Sequence, residues 1–338
     1  MKNAQPSGVA ASVRQRLLNL AHRQRLDFQD VLRRYAIERL LYRLSQSEYA
    51  NQFILKGAML FTLWSGTPQR ATQDLDLLGY GENSIAHFED IFRRLCQLEL
   101  DEQDGLEWQP DLLKIQQMRE EDQYQGLRVH LVARLAIARI AVQIDIGFGD
   151  TVTPAPEIVS FPTLLSFPAP QVRSYPRETV VAEKFQVMVS LEMVNSRIKD
   201  FYDLWVLARH FEFDGPTLCQ ALKATFERRN TPLPTEPPVA FTITFAGDRE
   251  KQRLWQAFLR KSQLEANGTT LGDVVAQLEQ FLLPPAAAQA LNQPFEQQWP
   301  AGGPWQANEP HPPAELPLAE PETSPEMALE PEPEAPKE

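Results

Sequence analysis

The chain has 338 residues, a formal net charge of −12 and two cysteines, Cys96 and Cys219. That length allows two domains of ordinary size, and 43% hydrophobic residues are enough for a core. Two distant cysteines exclude a disulfide framework and a cysteine-ligated zinc site and fit reduced thiols in a cytoplasmic protein. No run approaches the ~18 apolar residues of a membrane span, and the first twenty residues lack the apolar core expected of a secretory signal.

The charge is unevenly spread. Residues 308–338 hold nine Glu and one Lys, a net of −8, which leaves −4 for residues 1–307. Overall acidity therefore says little about any one face. Arg14, Arg16, His22, Arg23, Arg25, Arg33, Arg34, Arg39 and Arg43 crowd the N-terminal region, which suggests a local basic surface for RNA.

Residues 9–49 predict two helices, because apolar residues recur at three- and four-residue spacing, with Asp27 as the cap of the second. FILKGAMLFTL, residues 53–63, reads as a short strand or turn leading into a helix. QDLDLLGY alternates as a strand does, and residues 84–99 return to a helical pattern. LRVHLVARL and RIAVQIDIGF, with little between them, predict adjacent antiparallel strands. The proline-rich stretch after Asp150 reads as an extended connector between lobes. Helices are expected over 178–210, with a break near Asn195, and then around 216–228, 249–264 and 271–282. Fourteen of the 28 prolines fall in 284–338. Such a segment cannot bury enough apolar surface to offset its ordering entropy, so a disordered tail is expected there. The resulting division is 1–50 N-terminal helices, 51–155 a core lobe, 156–283 a helical lobe and 284–338 the tail.

Asp74 and Asp76 carry the chemistry. At i and i+2 of a strand, both carboxylates project from one face, and two close anions repel unless a cation lies between them. Leu75, Leu77 and Leu78 imply that the opposite face is buried. Such a strand suits Mg²⁺, which takes a few carboxylates plus substrate phosphates. Asp145, in AVQIDIGFG, is a charge inside an apolar strand and is costly unless paired or metal-bound. On a neighbouring strand it would complete a two-metal site. The pair alone is a weak motif, and either strand could equally end in solvated acids.

Lys56, Gly57 and Ala58 form a Lys-Gly step opening a helix, a place where backbone N–H groups can meet a phosphate. Arg70 and Thr72 precede the acid pair and could serve a triphosphate. Lys184 sits in an apolar helix and could lean into a cleft as a point charge for phosphate, or simply snorkel. Arg197, Asp200 and Asp203 share one side of a later helix, where an internal Arg–Asp pair is the plainer alternative. No histidine or cysteine stands in triad or metal spacing.

In order and spacing, LKGAML, RATQDLDLL, VQIDIGFGD, AEKFQVMV and SRIKDFYDLW resemble the AbiEii/AbiGii family of nucleotidyltransferase-like toxins, within the DNA polymerase beta-type nucleotidyltransferase superfamily. The resemblance spans roughly residues 10–280. It implies an α+β fold, with a nucleotidyltransferase-like lobe on a mixed or antiparallel sheet and a mainly helical C-terminal lobe. It implies that Asp74 and Asp76 are the metal pair, Asp145 the later strand carboxylate, Lys184 a contact to nucleotide phosphates, and Asp200 and Asp203 the DxxD motif. It further implies two Mg²⁺ ions, or Mn²⁺ in their place, an NTP substrate, an RNA acceptor such as the tRNA 3′ end, a cognate antitoxin, and a role in abortive infection and phage defence. Ala58 departs from the Gly-Gly or Gly-Ser common in the superfamily. A kinase-like phosphotransferase on the same scaffold and a non-catalytic nucleotide- or partner-binding protein remain as alternatives.

Overall fold

The computed structural model describes residues 8–66, 72, 74–119, 125–262, 264 and 268–307. Helix α1 (Gly8–Gln24) turns Ala10, Val13, Leu17, Leu20 and Ala21 inward, one face at helical spacing. Helix α2 (Phe28–Ser45) starts at Asp27, whose carboxylate accepts from the N–H groups of Gln29 and Asp30 at 2.8 and 3.1 Å, as the sequence predicts. Beyond its first turn α2 is buried nearly all round, Glu38, Arg39 and Arg43 included. Arg39 lies 3.5 Å and Arg43 3.0 Å from Asp104. Arg39 also donates to the Pro168 carbonyl. Two of the nine basic residues of the expected basic surface are thus reassigned. These two arginines face a carboxylate inside the protein, and a sequence cannot show that partner because it lies more than sixty residues away.

Strand β1 (Phe53–Lys56), helix α3 (Met59–Ser65), strand β2 (Asp74–Gly79) and helix α4 (Ile85–Gln97) follow. Strands β3 (Leu106–Trp108), β4 (Lys114–Arg119), β5 (Gln125–Leu135), β6 (Ala138–Phe148), β7 (Glu157–Ser160) and β8 (Gln171–Ser174) complete an eight-stranded mixed sheet. Its order is β3-β5-β6-β2-β1-β8-β7, with β4 also paired to β5. β5 and β6 are antiparallel, as expected, while β2 and β6 run parallel. Along β2 and β6, buried Leu75, Leu77, Ile144 and Ile146 alternate with half-buried Asp74, Asp76, Gln143 and Asp145. The apolar face packs under α2 and α4, where Phe88 of α4 meets Phe53 and Phe148 edge-on.

The proline-rich stretch after Asp150 is a hairpin rather than a connector. β7 pairs antiparallel with β8, and β8 joins β1 in parallel at Leu55–Ser174. Its prolines flank the strands and lie toward the sheet's edge, where a missing N–H costs little. The sheet lobe therefore reaches Ser174, and the helical lobe starts near 177 instead of 156.

The helical lobe comprises α5 (Arg177–Leu191), α6 (Ile198–His210), α7 (Gly215–Arg228), α8 (Ile243–Gly247), α9 (Arg249–Lys261) and α10 (Leu271–Ala290). A small sheet, β9 (Phe213–Asp214), β10 (Gln297–Trp299) and β11 (Gln306–Ala307), closes it. The break expected near Asn195 separates α5 from α6. The expected end of order at 283 is corrected. α10 runs through Pro284 and Pro285 to Ala290, and two further strands lie between there and residue 307. Pro285 lacks the N–H that would bond the Phe281 carbonyl, and the Trp305 indole N–H supplies that bond at 2.9 Å instead. Trp299 and Trp305 pack on the Phe281 ring with centroids 4.9 and 6.0 Å away. The tail expected over 308–338 lies outside the described residues. Among the described residues no helix is long and apolar enough to cross a membrane.

Candidate active site

Register places the acids. Lys56 of β1 pairs with Asp76 of β2, Asp76 with Asp145 of β6, and Asp145 with Arg128 of β5. Four charged side chains therefore stand in one row across four adjacent strands, alternating as cation, two anions, cation. One pleat further, Asp74, Gln143, His130 and Lys114 are likewise successive partners. All of them share the face that α2 and α4 leave uncovered.

The acids are crowded and partly desolvated. Burial, then the charge of Asp145, raises the Asp74 carboxyl above its ordinary range. Burial pushes Asp76 up to about 6, with Lys56 and Lys199 opposing and Asp145 and Asp74 adding to the rise. Two carboxylates in this state fit a divalent cation, which would relieve their repulsion. Asp145 is engaged differently. Arg128 Nε and Nη2 donate to its two oxygens at 2.8 and 2.7 Å, and Gln143 Nε2 lies 3.3 Å from both. Accordingly, among the described residues no three Asp, Glu, His or Cys side chains already converge as a metal cage.

Gly57 shapes the floor. Its φ of +76° is a left-handed conformation, and a Cβ there would lie 1.9 Å from Asp76 Oδ2. The Lys-Gly step thus makes room for an acid on the neighbouring strand. Ala58 is buried and precedes α3 without a side-chain cap.

Lys56 turns toward the helical lobe. Its ammonium lies 2.9 Å from Asp150 and 3.5 Å from Glu183 of α5, and Arg229, after α7, lies 2.8 Å from Asp150 and 3.7 Å from Glu183. Burial would lower the Lys56 pKa, yet Glu183, Tyr175 and Asp150 hold it well above its ordinary value. Burial would raise Asp150, but Lys56 and Arg229 bring it down to about 2. These four groups are two cations and two anions that join β1 and the end of β6 to α5 and α7.

Lys184, expected to reach a phosphate or to snorkel, instead meets Asp200 and Asp203. Its ammonium bonds Asp200 and lies 2.9 Å from Asp203, both buried on α6. Thr72 Oγ1 donates to the Asp74 carbonyl at 3.4 Å. Arg70 lies outside the described residues.

Sequence reading missed Arg128 and Lys199. Lys199 is exposed in the first turn of α6 and near enough to lower both Asp74 and Asp76. Its place beside Asp200 was a weak signal. Arg128 gave none, because only the β5–β6 register sets it beside Asp145.

A mixed sheet bearing an acid pair on its open face, bordered by a helical lobe, defines a nucleotidyltransferase-type protein. Residues 39–291 match the family described as nucleotidyl transferase AbiEii toxin, type IV toxin–antitoxin system, and the chain belongs to that family. Two solved Helicobacter pylori structures are similar, the protein JHP933 and a chain described as a candidate nucleotidyltransferase. Each is 14% identical with a TM-score of 0.44 over 79% of this chain, covering 94% and 97% of those chains respectively. No curated protein matches the sequence.

Proposed function

We propose that the chain transfers a nucleotide from an NTP to an RNA acceptor, the tRNA 3′ end being the foremost candidate, as the toxin of a toxin–antitoxin pair that acts in phage defence. The observation that carries this reading is the in-register placement of Asp74, Asp76 and Asp145 on two parallel neighbouring strands of an uncovered face. In the reaction an acceptor hydroxyl oxygen attacks the α-phosphorus, the bond to the bridging oxygen breaks, and pyrophosphate leaves. Divalent cations, Mg²⁺ or Mn²⁺, would supply charge neutralisation at the attacking and leaving oxygens. Asp74, Asp76 and Asp145 are the residues to hold them, and Asp145 also helps to orient the attacking hydroxyl.

The remaining residues position the reactants, which is most of what such a reaction needs from a protein. Gly57 keeps Asp76 in place. Exposed Lys199 faces the acids from α6 and offers a charge to the triphosphate. Lys184 is held ready by Asp200 and Asp203 at the lobe boundary. The β4–β5 side, with Lys114, His130 and Arg128, leaves the acceptor a path to the acids.

Incubation with each α-labelled NTP, Mg²⁺ and total tRNA tests the reading. A labelled tRNA band that disappears with a folded Asp74→Ala variant is expected. Label carried only from γ-labelled NTP would replace nucleotidyl transfer by phosphoryl transfer, and an Asp74→Ala variant of undiminished activity would overturn the assignment of the acids.

A further inference from the structure

We propose that Arg128 is a positioning residue that occupies Asp145 in the metal-free protein, and that the site closes when Asp145 exchanges this guanidinium for a divalent cation. The inference rests on the reading of Asp74 and Asp76 as cation ligands and adds a residue outside them.

The ground is geometric. Parallel pairing sets Asp145 beside Asp76, and antiparallel pairing sets it beside Arg128. Asp145 thus stands between the acid pair and a guanidinium. The guanidinium takes both oxygens, at 2.8 and 2.7 Å, in the two-pronged geometry that makes such pairs strong. A divalent ion and a guanidinium on the same carboxylate would stand a few ångströms apart and repel. Each therefore weakens the other's hold on Asp145, and the two compete for it. The pair is built to part, since the Arg128 side chain is 35% exposed and can swing into solvent. In the metal-free protein the guanidinium also offsets the mutual repulsion of three neighbouring carboxylates. Arg128 therefore does two things. It keeps the site assembled before loading, and it makes the cation compete for the third carboxylate.

The test is Mn²⁺ binding by the full chain without nucleotide, measured by loss of the free-ion magnetic resonance signal, with circular dichroism to show that each variant is folded. Arg128→Met should bind Mn²⁺ about fivefold to fiftyfold more tightly than wild type, the equilibrium equivalent of one lost charged hydrogen-bonded pair. Arg128→Lys keeps the charge but loses the fork, and should also tighten binding. Both gains should vanish when Asp145→Asn is added. The proposal is overturned if Arg128→Met binds no more tightly while Asp74→Asn abolishes binding. It is overturned as well if Arg128→Lys matches wild type, or if the gain survives Asp145→Asn, since removal of a nearby positive charge then explains everything. If Asp74→Asn leaves Mn²⁺ binding intact, the underlying assignment of the acid pair fails instead, and the exchange falls with it.

Discussion

Single residues show how closely chemistry and backbone are tied here. Gly57 is required twice over, by its left-handed φ of +76° and by Asp76 Oδ2, 1.9 Å from where a Cβ would sit. Gly57→Ala should cost about 1–2 kcal/mol of stability from the backbone alone. It should also displace Asp76 and cut transfer at least about tenfold, since a small misplacement of a positioning group can cost that much. Unfolding curves and the labelled-NTP assay on the same preparation check both effects, and unimpaired transfer would show that Asp76 tolerates the shift. Glu38 offers a cleaner electrostatic case, far from the acids. It is 1% exposed, and burial pushes its carboxyl up to about 7 against an ordinary value of 4.5, although the Leu164 N–H donates to it at 2.7 Å. Between those two values the folded protein holds the proton and the unfolded chain does not. Stability therefore falls as pH rises from about 4.5 to about 7 and is level beyond. Glu38→Gln removes the penalty. Its advantage over wild type in urea unfolding should grow across that window to a ceiling on the order of 3 kcal/mol, and an advantage that does not vary with pH would mean that Glu38 titrates normally.

At the scale of elements, α10 shows a local rule overridden by a distant side chain. Two prolines inside a helix predict its end, yet α10 continues to Ala290. Burial of Phe281, Leu282, Pro285 and Ala286 holds it against the core, and the Trp305 indole satisfies the carbonyl that Pro285 leaves open. Trp305→Phe keeps the ring and deletes the donor. The expected loss is about 1 kcal/mol, with faster amide exchange in the last turns of α10 and in β10 and β11. Exchange unchanged from wild type would show that ring packing alone sustains the helix. The elements legible in the sequence were those whose periodicity is their own, namely α1, α2, β2, α4, β5, β6, α5, α6, α7, α9 and the first part of α10. The hairpin of β7 and β8 was misread because its prolines look the same in a connector as at a sheet edge.

For the whole molecule, the Lys56–Asp150–Glu183–Arg229 cluster fastens the sheet lobe to the helical lobe. Arg229 is 14% exposed and Asp150 8%. Removing one cation leaves two buried carboxylates to share the other. Arg229→Met should therefore destabilise the chain by about 3 kcal/mol, with little dependence on salt because the pair is screened poorly. Denaturant unfolding at low and high ionic strength measures this. A loss below ~0.5 kcal/mol would reduce the cluster to a surface ion pair.

The sequence by itself determined the two-lobe plan, the acid pair of β2, the strand bearing Asp145 and the helix pair bearing Lys184, Asp200 and Asp203. Each depends on local alternation, helical spacing or ordered motifs, which are properties of neighbouring residues. Tertiary structure alone decided that Lys56, Asp76, Asp145 and Arg128 form one row, that α2 carries its arginines inward to Asp104, and that Trp305 completes α10. Those outcomes depend on partners dozens of residues away and on strand register, which burial of the apolar face and turn geometry fix only once the strands have come together.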